Sequence, residues 1–184
     1  MPAPAKVDRA GIVAACVALV EAHGPAGVTL GALAEALGIK APSLYKHFRD
    51  RAALLSAARA EGFRALAVSL GRSRDMRALS TAYRRFARRR PELYALLFAP
   101  GLPEDPDELA ARRAGAEPLF ALLRAHLVGA DEATVLRAAR VITAFVHGYV
   151  SMEIAGAFRL GPDPEAAYRE GIDALWRALV PAEA

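Results

Sequence analysis

Apolar residues recur three and four positions apart along most of the chain, the spacing of helices that bury one face. Ile12, Cys16, Leu19 and Val20 share one side of a first helix, about Arg9 to His23, capped by Asp8 and stopped by Gly24-Pro25. Thr29 caps a second helix, in which Leu30, Leu33, Ala34 and Leu37 repeat before Gly38 ends it. Ala41-Pro42-Ser43 opens a third, with Leu44 and Phe48 inward and Ser43, Tyr45, Lys46 and His47 outward. Asp50 caps a fourth, about Arg51 to Leu70, whose inner face begins with Leu54, Leu55, Ala58 and Phe63. A fifth spans about Met76 to Arg90, with Leu79, Tyr83 and Phe86 in register, and Pro91 starts a short sixth ending near Phe98. Three prolines and a glycine between Ala99 and Pro106 predict a loop. A seventh helix follows over about Asp107 to Leu127, with Pro118 expected to kink or break it. Asp131 caps an eighth, about Glu132 to Ala155, and Asp163 caps a ninth, about Pro164 to Leu179. The pattern predicts an all-α protein of about nine helices, with a small N-terminal domain over 1–52 and a helical body over 53–184. No strand, internal repeat or low-complexity tract is found.

Composition fits a chain that buries a core and stays soluble: 54% hydrophobic and 24% charged residues in 184. No run reaches eighteen uninterrupted apolar residues, so no membrane span is predicted. The N-terminal run carries Asp8, Arg9 and Glu21 and reads as an amphipathic helix rather than a signal peptide. Cys16 is the one cysteine, excludes an internal disulfide and is expected in the core. Cytoplasmic residence is the expectation. The four histidines, His23, His47, His126 and His147, are scattered, and His147 and Glu153 fall on different helix faces. No H-E-x-x-H, G-x-S-x-G, glycine-rich phosphate loop or paired-cysteine motif occurs. No catalytic residue, metal site or cofactor is therefore expected.

The net charge of +4 conceals an asymmetry. Residues 51–90 hold 11 Lys+Arg against 2 Asp+Glu, whereas residues 91–184 hold 8 against 14. A basic segment attracts phosphates and an acidic one resists non-specific docking. Arg84, Arg85, Arg88, Arg89 and Arg90 admit two readings, a solvated helix face or DNA contact.

Val28 to Leu55 has the layout of a helix-turn-helix, whose second helix lies in the major groove of DNA. Base identity is read on groove edges, while phosphate contacts fix register. The groove-facing candidates are Lys40, Ala41, Pro42, Ser43, Tyr45 and Lys46. Lys46 and Ser43 can donate to a base or a phosphate, Ala41 and Pro42 offer apolar contact, and Tyr45 and His47 can donate to phosphate oxygens. Thr29 can present its hydroxyl and backbone N–H to a phosphate. In these residues the chain resembles the TetR family of bacterial transcription repressors. The motif stands as Gly38-Ile39, Leu44-Tyr45-Lys46-His47-Phe48, Arg51 and Ala53-Leu54-Leu55. The resemblance places Arg51 at a phosphate-contact position. The C-terminal half is similar to a branch with a W-H-G signature in its body. That likeness rests on Arg84-Arg85-Phe86, Pro91-Glu92-Leu93-Tyr94, His147-Gly148 with Ser151 and Glu153, and Asp163-Pro164. Val146 stands where that branch has its tryptophan.

The resemblance implies a homodimer, built by pairing the last two long helices with their copies into a four-helix bundle. Val141, Phe145, Tyr149, Ile172, Leu175, Trp176 and Leu179 are the candidate interface anchors, or part of the subunit's own core. A twofold dimer implies a palindromic double-stranded operator, and the resemblance implies a repressor in the cytoplasm, associated with the nucleoid. The large body further suggests a small-molecule effector, with Tyr83, Phe86, Leu97, Phe120, Leu123 and His147 as candidate pocket residues. The competing expectation is a helical adaptor or ligand-storage protein, which would leave the outward Tyr45-Lys46-His47 face unexplained.

Overall fold

The computed structural model describes residues 7–161 and 164–180, and all regular structure among them is helical. Eight α-helices form in the order α1 (Arg9–Gly27), α2 (Leu30–Ala36), α3 (Arg51–Leu70), α4 (Met76–Arg89), α5 (Pro91–Leu97), α6 (Pro106–His126), α7 (Glu132–Ile154) and α8 (Glu165–Leu179). A 3₁₀ helix, η1 (Ala41–Lys46), lies between α2 and α3. The all-α expectation is met.

Capping sets most of the starts. Asp8, Asp50, Asp75, Asp105 and Asp131 each accept a backbone N–H three residues on, at 2.8 Å, and Thr29 accepts from Ala32 at 3.0 Å. Each bond satisfies a donor that the first turn of a helix leaves orphaned. The expected cap at Asp163 falls outside the described residues.

Three local expectations differ from the structure. Gly24-Pro25 does stop a helix, because Gly24 adopts φ 70°, ψ 167°, but a further turn restarts on Pro25 and carries α1 to Gly27. A side chain at Gly24 would also meet the Glu92 carboxylate, with a Cβ 2.8 Å from Oε2. Pro118 does not break α6, which runs on to His126. Leu119 and Leu123, both buried just beyond it, anchor the next turn despite the lost backbone bond. The third helix is 3₁₀ rather than α: Ser43 N donates to Lys40 O and His47 N to Leu44 O, each at 2.9 Å. A segment this short, with a proline in its first turn, closes i to i+3 bonds.

The chain divides into two compact units. Unit 1 holds residues 7–65 and 90–113, thus α1, α2, η1, most of α3, α5 and the start of α6. Its core is Ile12, Cys16, Val20, Val28, Leu33, Leu44, Phe48, Leu54, Ala58, Leu93 and Leu96. By length and composition α1 is apolar enough to cross a bilayer. Its apolar side instead packs on α5 and α2. Unit 2 holds residues 66–89 and 114–180, thus α4, the rest of α6, α7 and α8. Leu79, Tyr83, Phe86, Leu123, Val135, Ile142, Val146, Val150, Tyr168 and Ile172 are buried there.

Candidate nucleic-acid interface

The helix-turn-helix is built in unit 1 from residues whose burial alternates with exposure. Leu33 and Ala34 bury one face of α2, and Gly38 at φ 63° supplies the left-handed turn after it. Leu37 N donates back to Leu33 O and Ile39 N to Ala34 O, closing the helix end. The chain then enters η1, where Leu44 is 1% exposed and Phe48, just beyond, 4%. With those two fixed inward, Lys40, Pro42, Tyr45, Lys46 and His47 are exposed, and Ala41 and Ser43 half-buried. Tyr45 shows 59% of its surface, which leaves its ring and hydroxyl accessible. Thr29 is exposed, although its hydroxyl oxygen is occupied by the α2 cap. The exposed set is one continuous stretch carrying two ammonium groups, a phenol and an imidazole, which are donors for phosphates and base edges.

What holds this stretch was not foreseen. Arg9, at the start of α1, lies with its guanidinium 4.3 Å from the Phe48 ring centroid and donates to His47 O at 3.0 Å. It pins the end of η1 and brings a cation beside the exposed donor stretch. A lone arginine at a helix start gives no sequence signal for that contact, which spans 38 positions. Arg49 donates to Asp50 Oδ2 at 2.8 Å. The Ala53 backbone N–H and then the Arg49 guanidinium hold the Asp50 carboxyl below the usual carboxylate range.

Arg51 has a structural task beside the phosphate contact expected of it. Its Nε donates to Val28 O at 2.6 Å and its Nη2 to Pro25 O at 2.5 Å. Two edges of the guanidinium are thus spent tying the start of α3 to carbonyls of the last turn of α1 and of the residue just after it. Its first role is to fix the geometry of the head.

The other candidates separate by unit. Leu97 is buried in unit 1, where a Cβ on Gly62 of α3 would stand 2.7 Å from its Cδ2. Tyr83, Phe86 and Leu123 are buried in unit 2, while Phe120 and His147 of the same unit are half-buried. Burial lowers the affinity of His147 for a proton. Of the interface candidates, Ile172 belongs to the subunit's own core at 2% exposure. Phe145 and Tyr149 join Phe158 and Tyr168 in an aromatic cluster, with ring centroids 4.6 to 6.1 Å apart. Trp176 packs edge-on against His126 at 5.2 Å. Leu175 and Leu179 are half-buried, and only Val141, 44% exposed, stands largely free in the single chain.

An exposed donor stretch on a packed helix-turn-helix defines a DNA-binding regulator. Comparison with known proteins agrees. Residues 12–58 match the family described as bacterial regulatory proteins, tetR family, and residues 76–175 match the tetracyclin repressor-like C-terminal domain. The chain is 33% identical over 161 residues to an uncharacterised helix-turn-helix transcriptional regulator of Mycobacterium tuberculosis, covering 83% of this chain and 73% of that protein. A protein of unknown function from Rhodococcus sp. RHA1 superposes with a TM-score of 0.77 at 27% identity, covering 97% and 100% of the two chains. A TetR variant of Acinetobacter baumannii AYE, solved in complex with minocycline, has the same fold, with a TM-score of 0.69 at 24% identity over 96% and 100% of the chains. The chain belongs to the TetR family of transcription regulators. It is a DNA-binding regulator and not an enzyme.

Proposed function

We propose that this regulator is a repressor that binds a palindromic operator as a homodimer and answers to a small molecule. The observation that carries the reading is the exposed Lys40–Lys46 stretch, set on Leu44 and Phe48 and steadied by Arg9 and Arg51. Lys46 and Ser43 reach bases, Lys40, Tyr45 and His47 grip phosphates, and Ala41 and Pro42 meet thymine methyls. Thr29 and Arg51 lie at the rim, where the Thr29 hydroxyl and the remaining Arg51 Nη1 can each meet a phosphate. Functionally, residues 1–52 read DNA and residues 53–184 dimerise and take the effector, in the cytoplasm at the nucleoid.

One small head offers little surface, and specific affinity at working salt calls for two half-sites about one helical turn apart. The support for a dimer is an exposed line of small and apolar residues on α7: Val141, Ala144, Met152 and Ala155, with half-buried Gly148 between them. Support for an effector is thinner: a body larger than a DNA head requires, and a like-folded TetR solved with minocycline bound. Among the candidate pocket residues, His147 and Phe120 retain the exposure a ligand would need.

Selection of bound sequences from a random duplex library tests the reading. An enriched palindrome is expected, and Tyr45→Ala with Lys46→Ala should abolish its binding while thermal stability holds. Salt-sensitive binding with no enriched sequence would overturn it.

A further inference from the structure

Six arginines surround one depression in unit 2: Arg77, Arg84, Arg85, Arg88 and Arg89 along one side of α4, and Arg169 across from them on α8. The depression measures about 470 Å³, and Glu165 is the one carboxylate on its wall. Small-molecule sites run from roughly 300 to 1,000 Å³.

The six guanidinium groups fall into two sets. Arg77 forks onto Asp173, at 2.7 and 2.5 Å, and Arg84 forks onto Glu153, at 2.8 and 2.6 Å. Arg88 lies 3.6 Å from the same Glu153. These ion pairs, with Tyr168 donating to Ser80 O at 2.9 Å, make the wall stiff. Arg85 and Arg89 make no ion pair with any described residue, and Arg169 shares the field of Asp173, which Arg77 already occupies. Arg85 and Arg89 also stand one helical turn apart, as do Arg84 and Arg88, and like charges at that spacing destabilise a helix. A merely solvated face has no use for such crowding in a hollow.

We propose that this depression binds a small molecule carrying a di- or triphosphate. Guanidinium forks match phosphate oxygens two at a time. Six arginines set against Glu153, Glu165 and Asp173 leave three positive charges, which answer an anion of about three charges that a single phosphate does not reach. A DNA backbone presents its phosphates on a convex cylinder, whereas this site is a hollow walled on one side by α8. The site is built from residues of unit 2 and the Lys40–Lys46 stretch from residues of unit 1, so it holds or fails independently of the operator reading.

Isothermal titration of the full chain at constant ionic strength tests it, with inorganic tripolyphosphate, ATP and AMP as probes. Tripolyphosphate should bind saturably, once per chain, and AMP much more weakly. Arg85→Gln with Arg89→Gln, both exposed and tolerant of change, should weaken tripolyphosphate about tenfold or more. Lys40→Gln with Lys46→Gln should leave it unaltered. ATP binding as well as tripolyphosphate supports a site for the phosphate chain alone, and tighter ATP binding supports one for a nucleotide. Absence of saturable binding overturns the proposal. So does loss confined to the Lys40/Lys46 variant, or an Arg85/Arg89 variant that loses duplex DNA but keeps tripolyphosphate.

Discussion

Cys16 and His147 show how burial alone sets side-chain chemistry here. Cys16 is fully enclosed between α1 and its neighbours, and the loss of solvation pushes its thiol up to about 12, against a small opposing pull from Arg51. The thiolate is the reactive form, so almost none exists near neutrality. A maleimide should therefore label the native protein only as fast as the head opens, and stoichiometrically in denaturant. Rapid labelling of the folded chain would show that α1 is not packed as described. For His147 the same penalty on the charged form shifts the pKa the other way: burial holds its proton affinity below the ordinary 6.5. As pH falls through 6.5 the unfolded chain takes up a proton that the folded chain resists, so stability is present above that pH and is lost below it. The melting temperature of wild type should fall more steeply between pH 7.5 and 5.5 than that of His147→Gln. Parallel curves would remove His147 from the account.

At the scale of elements, the segment between α5 and α6 owes its path to two buried charges. Arg59 of α3, 3% exposed, donates to Ala99 O at 3.2 Å, Pro103 O at 3.3 Å and Glu108 Oε2 at 3.2 Å. Glu108, fully buried, also accepts from Arg112 Nη2 at 2.8 Å, and Ser56 donates to Pro103 O at 2.8 Å. The proline-rich loop is thereby fastened to α3. Replacing Glu108 by alanine strands the Arg59 guanidinium in the core, which costs about 3–5 kcal/mol. Chemical denaturation should show that loss, and a change below about 1 kcal/mol would mean that water compensates the charge. None of this is visible in the order of residues, because the partners of Arg59 lie 40 and more positions away. Capping is the opposite case. Asp8, Thr29, Asp50 and Asp131 act on an N–H three residues ahead, so the starts of α1, α2, α3 and α7 could be read directly. The continuation of α6 through Pro118 and the 3₁₀ form of η1 could not, since packing decides both.

Across the whole molecule, the outward residues of the helix-turn-helix were readable from sequence, and the surface proposed to pair with a copy was not. Leu44 and Phe48 had to point inward for a core to form, and that fixed the outward set by periodicity alone. On α7 apolar residues occur on more than one face, and periodicity cannot separate a face that packs within the chain from one that packs on a copy. The structure assigns Ile172 to the core and Phe145 and Tyr149 to the aromatic cluster. It leaves Val141, Ala144, Gly148, Met152 and Ala155 in a line at spacings of three and four, with Met152 50% exposed. Small residues in that line permit close helix approach, and the flanking valine and methionine supply apolar area to bury. A carboxylate in its middle tests whether a copy covers it. Ala144 is exposed in the single chain, so Ala144→Glu should leave the melting temperature of an isolated subunit nearly unaltered. Across a twofold interface each substitution enters twice, and two unpaired buried carboxylates should weaken self-association by roughly two orders of magnitude or more. Light scattering should then report monomers where wild type gives dimers. Affinity for a palindromic duplex should drop with it, while affinity for one half-site stays the same. A variant that still sediments as a dimer would place the pairing surface elsewhere.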